Sequence, residues 1–193
     1  MMKIQIKKII LLASGNGSNV ENIIKYFDKN LAIRIVLVAG NNKNAFVFKR
    51  VKPYNIRTLV FDKLSFNKQL IKTIDQNKAD LVVLAGFLWK IPESVIDRYP
   101  NKIINIHPSL LPKFGGKGMY GNNVHKAVME SKEDKTGISI HIVNKEYDKG
   151  NIIFQVGISI TPLDDFKSIA KKVQDLEKEH FPRIIKNYIL NIK

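Results

Sequence analysis

The stretch Asp80-Leu-Val-Val-Leu-Ala-Gly86 constrains the fold more than any other. Five consecutive apolar residues leave a strand with no polar face, so both of its faces need cover, as in the centre of a parallel sheet. Similar short runs at residues 9–13, 33–39, 58–61 and 102–106 read as further strands. The segments between them have helical spacing. Val20, Ile23, Ile24 and Phe27 share one helical face, Leu70, Ile71 and Ile74 share another over residues 66–77, and shorter helices fit residues 45–52 and 92–99. This alternation predicts an α/β fold whose N-terminal half is Rossmann-like, with a mostly parallel twisted sheet.

Beyond residue 107 the pattern changes. Residues 108–121 hold two prolines and four glycines, too irregular for an element and long enough for a functional loop. A helix over residues 122–130 follows, then two strand-like runs, 137–143 and 151–158, joined by a polar turn that implies an antiparallel pair. A long amphipathic helix, 164 to about 187, is expected to be interrupted near Pro182. No repeat or linker divides the chain, which predicts one domain over residues 1–193.

The chain has no cysteine, which removes disulfides, thiolate metal sites and cysteine nucleophiles. No spacing of His, Asp and Glu suggests a metal. No apolar run approaches the roughly 18 residues of a membrane span, and the stretch at residues 9–13 is too short for a signal-peptide core. The expectation is a cytoplasmic protein without a membrane partner. The formal net charge of +15 invites a nucleic-acid reading, but only five of the 32 cations are arginines and the lysines are scattered. Arginine makes the bidentate contacts that base-reading surfaces favour. The excess therefore reads as a solubilising surface, with no nucleic-acid partner, that also attracts small anions.

Three constellations carry chemistry. Ser14-Gly-Asn-Gly-Ser-Asn19 lies between the first strand and first helix, where glycines expose backbone N–H groups and a helix N-terminus favours an anion. A dinucleotide fingerprint would need a glycine at Val20 and an acidic residue near Gly40-Asn-Asn42; both are missing. The alternative is a capping box of Ser18 with Glu21. In Asn105-Ile-His-Pro-Ser109, Asn105 and His107 are two apart on a strand end and point to one side, an amide donor beside an imidazole. A structural histidine is the competing reading. Asp148, in Tyr147-Asp-Lys-Gly150, is by itself ordinary turn chemistry. His125 and His141 read as structural or exposed. Ser109 lacks the setting of a hydrolase nucleophile.

Together these segments resemble the phosphoribosylglycinamide formyltransferases, the folate-dependent enzymes of purine biosynthesis. The similarity runs through residues 13–19, 81–87, 105–113, 137–141 and 147–150, in order and spacing, over about residues 8–188. The resemblance implies formyl transfer from 10-formyltetrahydrofolate, a co-substrate, to the amine of 5-phosphoribosylglycinamide, with no metal. It implies a phosphate-binding half of about residues 1–100 and a catalytic, folate-binding half of about 101–193. The implied catalytic residues are Asn105, His107 and Asp148. Gly15, Asn16, Gly17, Ser18 and Asn19 would hold the phosphate, with Gln174 and Glu177 toward the ribose. Lys63, Leu88, Trp89, Lys90, Ile91, Asn105, Asn144, Lys145, Glu146, Tyr147 and Asp148 would face the folate. A nearby carboxylate would keep His107 more readily protonated.

Trp89 departs from the arginine that this family commonly carries, and residues 114–121 form a longer loop with a different glycine pattern, in which Lys117 could add a cation. Among alternatives, methionyl-tRNA formyltransferases carry an RNA-contacting C-terminal domain for which 193 residues leave no room. Formyltetrahydrofolate deformylases carry an extra N-terminal domain. An amino-sugar-nucleotide N-formyltransferase would need only the Asn-His-Asp trio and is the remaining alternative. A monomer or homodimer is expected.

Overall fold

The computed structural model describes residues 5–192. The start of the chain, residues 1–4, on which the signal-peptide reading partly rests, lies outside the described residues, as does residue 193. Seven strands form one sheet in the order β3-β2-β1-β4-β5-β6-β7. β1 (Lys7–Leu12), β2 (Ile33–Gly40), β3 (Thr58–Val60), β4 (Leu81–Leu84) and β5 (Ile103–His107) run parallel. β6 (Lys135–Ile142) and β7 (Ile152–Ser159) are antiparallel additions beside β5. α1 (Ser18–Phe27), α2 (Val47–Val51), α3 (Phe66–Asn77), α4 (Glu93–Arg98), α5 (Asn122–Glu130) and α6 (Phe166–Asn191) complete the chain. None of these helices is long and apolar enough to cross a membrane.

The central strands bury both faces, as their sequence requires. Ile9 and Leu11 of β1 join Val83 of β4 in a core with α1 and α6. Ile10 and Leu12 join Val82 and Leu84 in a second core, with Phe66, Leu70 and Ile74 of α3. Because β1 has β2 on one side and β4 on the other, the order in which strands are added to the sheet reverses there. That crevice, beyond the carboxyl ends of β1 and β4, is where open α/β sheets bind ligands.

Three local expectations are corrected. First, α6 is not interrupted at Pro182 but runs through it to Asn191. Proline cannot donate to the carbonyl four residues earlier, and that carbonyl, of Lys178, instead accepts a 2.8 Å hydrogen bond from the Asn22 amide. Buried Phe181, Ile185 and Ile189 anchor both sides of the proline. Second, no capping box forms: the N-cap of α1 is Gly17, Ser18 is already helical, and Glu21 is engaged by Lys25 and Arg50. Third, residues 45–52 are only partly helical: α2 passes at Lys52 into a 3-10 turn containing Pro53.

Candidate active site

A cavity of about 750 Å³ opens at the switch point. Its walls include residues 14–19 after β1, 84–91 from the end of β4 onward, 105–108 at the end of β5, and the loop that ends at Asp148. Two of these are tied together, since Ser14 Oγ accepts a 2.8 Å hydrogen bond from the Leu88 N–H and the Ser14 N–H donates to Gly86.

At the β1 end, Gly17 has φ 77°, and a Cβ there would lie 2.5–2.8 Å from Val47 of α2. Only glycine fits both conditions. Asn19 Nδ2 donates to Glu177 Oε2 at 2.9 Å, so α6 meets α1 at the cavity wall. Gly15, Asn16, Gly17, Ser18, Asn19, Gln174 and Glu177 all line the cavity, as does Val173. Burial pushes the Glu177 carboxyl above its ordinary range, against the opposing pull of Asn19.

At the end of β5, the strand pleat turns Asn105 and His107 to one side, and Asp148 meets both. Its turn has φ 55° at Asp148. Two residues on, a Cβ at Gly150 would run into the Ile142 carbonyl oxygen, so glycine lets the turn close against β6. Asp148 Oδ2 lies 3.5 Å from His107 Nδ1 and accepts a 2.9 Å hydrogen bond from the Gly116 N–H. Asn105 Nδ2 is 3.4 Å from Asp148 Oδ1. His107 Nε2 donates to the Phe114 carbonyl at 2.7 Å, which fixes the neutral tautomer and leaves the Nδ1 lone pair facing Asp148.

The electrostatics correct one expectation. Burial lowers the His107 pKa and outweighs the opposing pull of Asp148 and the Phe114 hydrogen bond, so the ring is held neutral rather than readily protonated. Burial pushes Asp148 up, but the neighbouring His141 and His107 and the Gly116 N–H together prevail and hold it below the ordinary carboxylate range.

Two histidines read as structural or exposed belong to the site. His141 is 2% exposed and sits opposite Asn105 in the β5–β6 register. Its Nδ1 donates to the Ile142 carbonyl at 2.9 Å, leaving Nε2 to accept from Asn105 Nδ2 at 3.1 Å and to lie 3.5 Å from Asp148 Oδ1. The available signal was its place on the strand after Asn105, which only the pairing register makes meaningful. His125 of α5 is also buried and lines the cavity, and its Nδ1 has no hydrogen-bond partner. Burial, then His107, lowers its pKa.

Toward the other end, Leu88, Trp89, Lys90, Ile91, Asn144, Glu146 and Tyr147 line the cavity. Trp89 packs edge-on against Phe66, centroids 5.2 Å apart. Lys63 and Lys145 are not among the lining residues, and Lys145 pairs with Asp97 at 2.9 Å. The longer loop also contributes, since Gly116, Lys117, Gly118, Met119, Tyr120 and Gly121 line the same space. Ser109 is buried with its hydroxyl donating to Lys113, as befits a structural serine.

A family model described as formyl transferase matches residues 7–185. The chain belongs to the formyl transferase family. It is 37% identical over 182 residues to the chloroplastic phosphoribosylglycinamide formyltransferase of Arabidopsis thaliana, covering 90% of this formyltransferase and 62% of that relative. It is 32% identical over 190 residues to phosphoribosylglycinamide formyltransferase of Bacillus subtilis, covering 95% of each. A crystal structure of phosphoribosylglycinamide formyltransferase from Anaplasma phagocytophilum superposes with a TM-score of 0.87 at 31% identity, over 97% of this chain and 89% of that one. Another, from Coxiella burnetii in complex with CHES, gives 0.84 at 36% identity, over 94% and 86%.

The buried histidines make folding pH-dependent in a definite direction. Unfolded, each titrates near about 6.5; folded, His107 and His125 titrate lower. As pH falls below about 6.5 the unfolded chain takes up protons that the folded chain refuses, so stability drops, levelling off once the folded rings protonate. Asp148, lowered in the fold, contributes stability that is lost only at more acidic pH. Glu177, raised in the fold, works in the opposite sense, its penalty shrinking as pH falls. The fall in Tm between about pH 7.5 and about pH 5.5 should be larger in the wild type than in His107→Asn, by thermal unfolding. Equal falls would contradict the assignment.

Proposed function

We propose that Asn105, His107 and Asp148 catalyse transfer of the formyl group of 10-formyltetrahydrofolate to the amine of 5-phosphoribosylglycinamide. The products are 5-phosphoribosyl-N-formylglycinamide and tetrahydrofolate. The observation that carries this reading is the joining, in one cavity, of an amide–imidazole–carboxylate cluster to the glycine turn at the N-terminus of α1.

The folate supplies an electrophilic formyl carbon on nitrogen. The protein's part is to orient it, stabilise charge and move protons. Leu88, Trp89 and Ile91 offer an apolar wall for a flat ring system beside the polar turn of Asn144, Glu146 and Tyr147. The N–H groups of residues 15–19 and the positive end of the α1 dipole suit a phosphate dianion. Glu177 and Gln174 face the sugar and amine between the two ends.

As the amine attacks, negative charge builds on the formyl oxygen. One Asn105 N–H is held by His141; the other makes only the long 3.4 Å contact with Asp148 and is the donor available to that oxygen. An oxyanion donor of this kind contributes about 3–4 kcal/mol. His107, neutral at rest, takes at Nδ1, where Asp148 faces it, the proton that the attacking amine loses, and the resulting cation stabilises the oxyanion. As the oxyanion collapses and the bond from the formyl carbon to the folate nitrogen breaks, that proton passes to the leaving nitrogen, which restores neutral His107.

A spectrophotometric formyl-transfer assay tests the reading: turnover with phosphoribosylglycinamide supports it, and turnover only with an amino sugar nucleotide removes it. The phosphate end is tested separately. Gly17→Ala forces Val47 and the turn apart, so KM for phosphoribosylglycinamide should rise by about tenfold or more while KM for the folate stays near wild type. Equal rises in both would count against a phosphate role for the turn.

A further inference from the structure

We infer that Arg50 is a positioning residue that sets the phosphate turn from behind, an inference that rests on the proposed phosphate role of residues 15–19. Arg50 lies outside the cavity, on α2, yet two of its guanidinium nitrogens reach the turn and a third reaches Glu21 of α1. Nε donates to the Asn16 carbonyl at 2.9 Å, Nη2 to Asn16 Oδ1 at 3.2 Å, and Nη1 to Glu21 Oε2 at 2.6 Å. A planar fork of fixed geometry holds backbone and side chain of one residue at once, which the single ammonium of lysine cannot do. The Arg50 side chain is 28% exposed and lies over the Phe46 ring at 5.0 Å, which limits its freedom.

The rest of α2 acts on the same turn. Val47 N–H donates to the Gly15 carbonyl at 3.1 Å, and the body of Val47 presses on Gly17. Gly15, Asn16 and Gly17 are thus each fixed by α2, with the Gly15 and Asn16 carbonyls turned toward it. A carbonyl drawn outward in this way cannot face an incoming anion. Arg50 also governs a charge. Glu21 stands in the first turn of α1, where its carboxylate would repel a phosphate dianion near the same helix end. Lys25, Arg50 and Tyr54 draw that carboxylate aside, at 2.9, 2.6 and 3.4 Å.

Calorimetric titration with ribose 5-phosphate reads the turn without requiring turnover. In Arg50→Met, binding should weaken by about tenfold, a typical consequence of losing charge-assisted hydrogen bonds. KM for phosphoribosylglycinamide should rise in parallel, with kcat and the folate KM within about twofold of wild type. Arg50→Lys keeps the charge opposite Glu21 but not the fork on Asn16, and should resemble Arg50→Met. Glu21→Gln added to Arg50→Met should restore at most part of the binding. Full restoration by Glu21→Gln, or wild-type behaviour of Arg50→Lys, would reduce Arg50 to charge cancellation and overturn the inference. So would a general rise in both KM values with a lowered Tm, or unchanged ribose 5-phosphate binding in Arg50→Met when the wild type binds it. A wild-type protein that fails to bind ribose 5-phosphate would remove the phosphate reading itself, and the inference with it.

Discussion

His107→Ala is expected to lower kcat by about 10²–10⁴-fold, the usual span for loss of a general acid–base group. The expectation rests on where the ring sits. Its Nε2 is committed to the Phe114 carbonyl, so Nδ1, 3.5 Å from Asp148, is the nitrogen left to accept a proton. Burial holds the ring neutral before reaction, so it is charged only when negative charge on the substrate makes the cation favourable. An interaction formed only in the transition state affects kcat more than KM. Alanine also leaves a cavity and an unpaired Phe114 carbonyl, so His107→Asn, which fills part of that space with a polar side chain, is the companion variant. It should fold with near-normal Tm and show a similar loss of kcat. Rates near wild type in both variants would remove His107 from the mechanism.

Asp148→Asn should lose turnover on a comparable scale, about 10²–10⁴-fold, with both KM values little changed. Asparagine is nearly isosteric, and its carbonyl oxygen can still accept from Gly116, so the turn should persist. It lacks the negative charge that faces Nδ1 of His107 and Nε2 of His141. Groups that act as a unit give non-additive losses. The double variant His107→Asn/Asp148→Asn should therefore be little worse than the more damaged single one. Losses that multiply would mean the two residues act independently, and unchanged kinetics would return Asp148 to ordinary turn chemistry.

Much of this site was legible because its residues lie where strands end. Period-two spacing on β5 places Asn105 and His107 together, and the uninterrupted apolar run of β4 identifies the centre of the sheet and hence the crevice beside it. What stayed hidden depends on partners distant in sequence. Asp148 looks like turn chemistry until the turn folds back against β5. His141 gains meaning only from the register that sets it opposite Asn105. The state of His107 could not be read from charge spacing, because burial, a property of the whole fold, outweighs the carboxylate beside it. The passage of α6 through Pro182 likewise depends on a distant partner: the donor to the freed Lys178 carbonyl comes from Asn22, far away along the chain. Arg50, in an unremarkable basic helix, reaches Asn16 only once α2 has packed beside α1.

The net charge of +15 suits a general attraction for the two anionic substrates of the proposed reaction. The most direct test of the central claim is to follow an isotopically labelled formyl carbon from 10-formyltetrahydrofolate in the presence of phosphoribosylglycinamide. The label should appear on the glycinamide nitrogen, one equivalent per tetrahydrofolate released, and the transfer should collapse in Asp148→Asn. Release of the label as free formate, or its transfer only to an amino sugar nucleotide, would contradict the account.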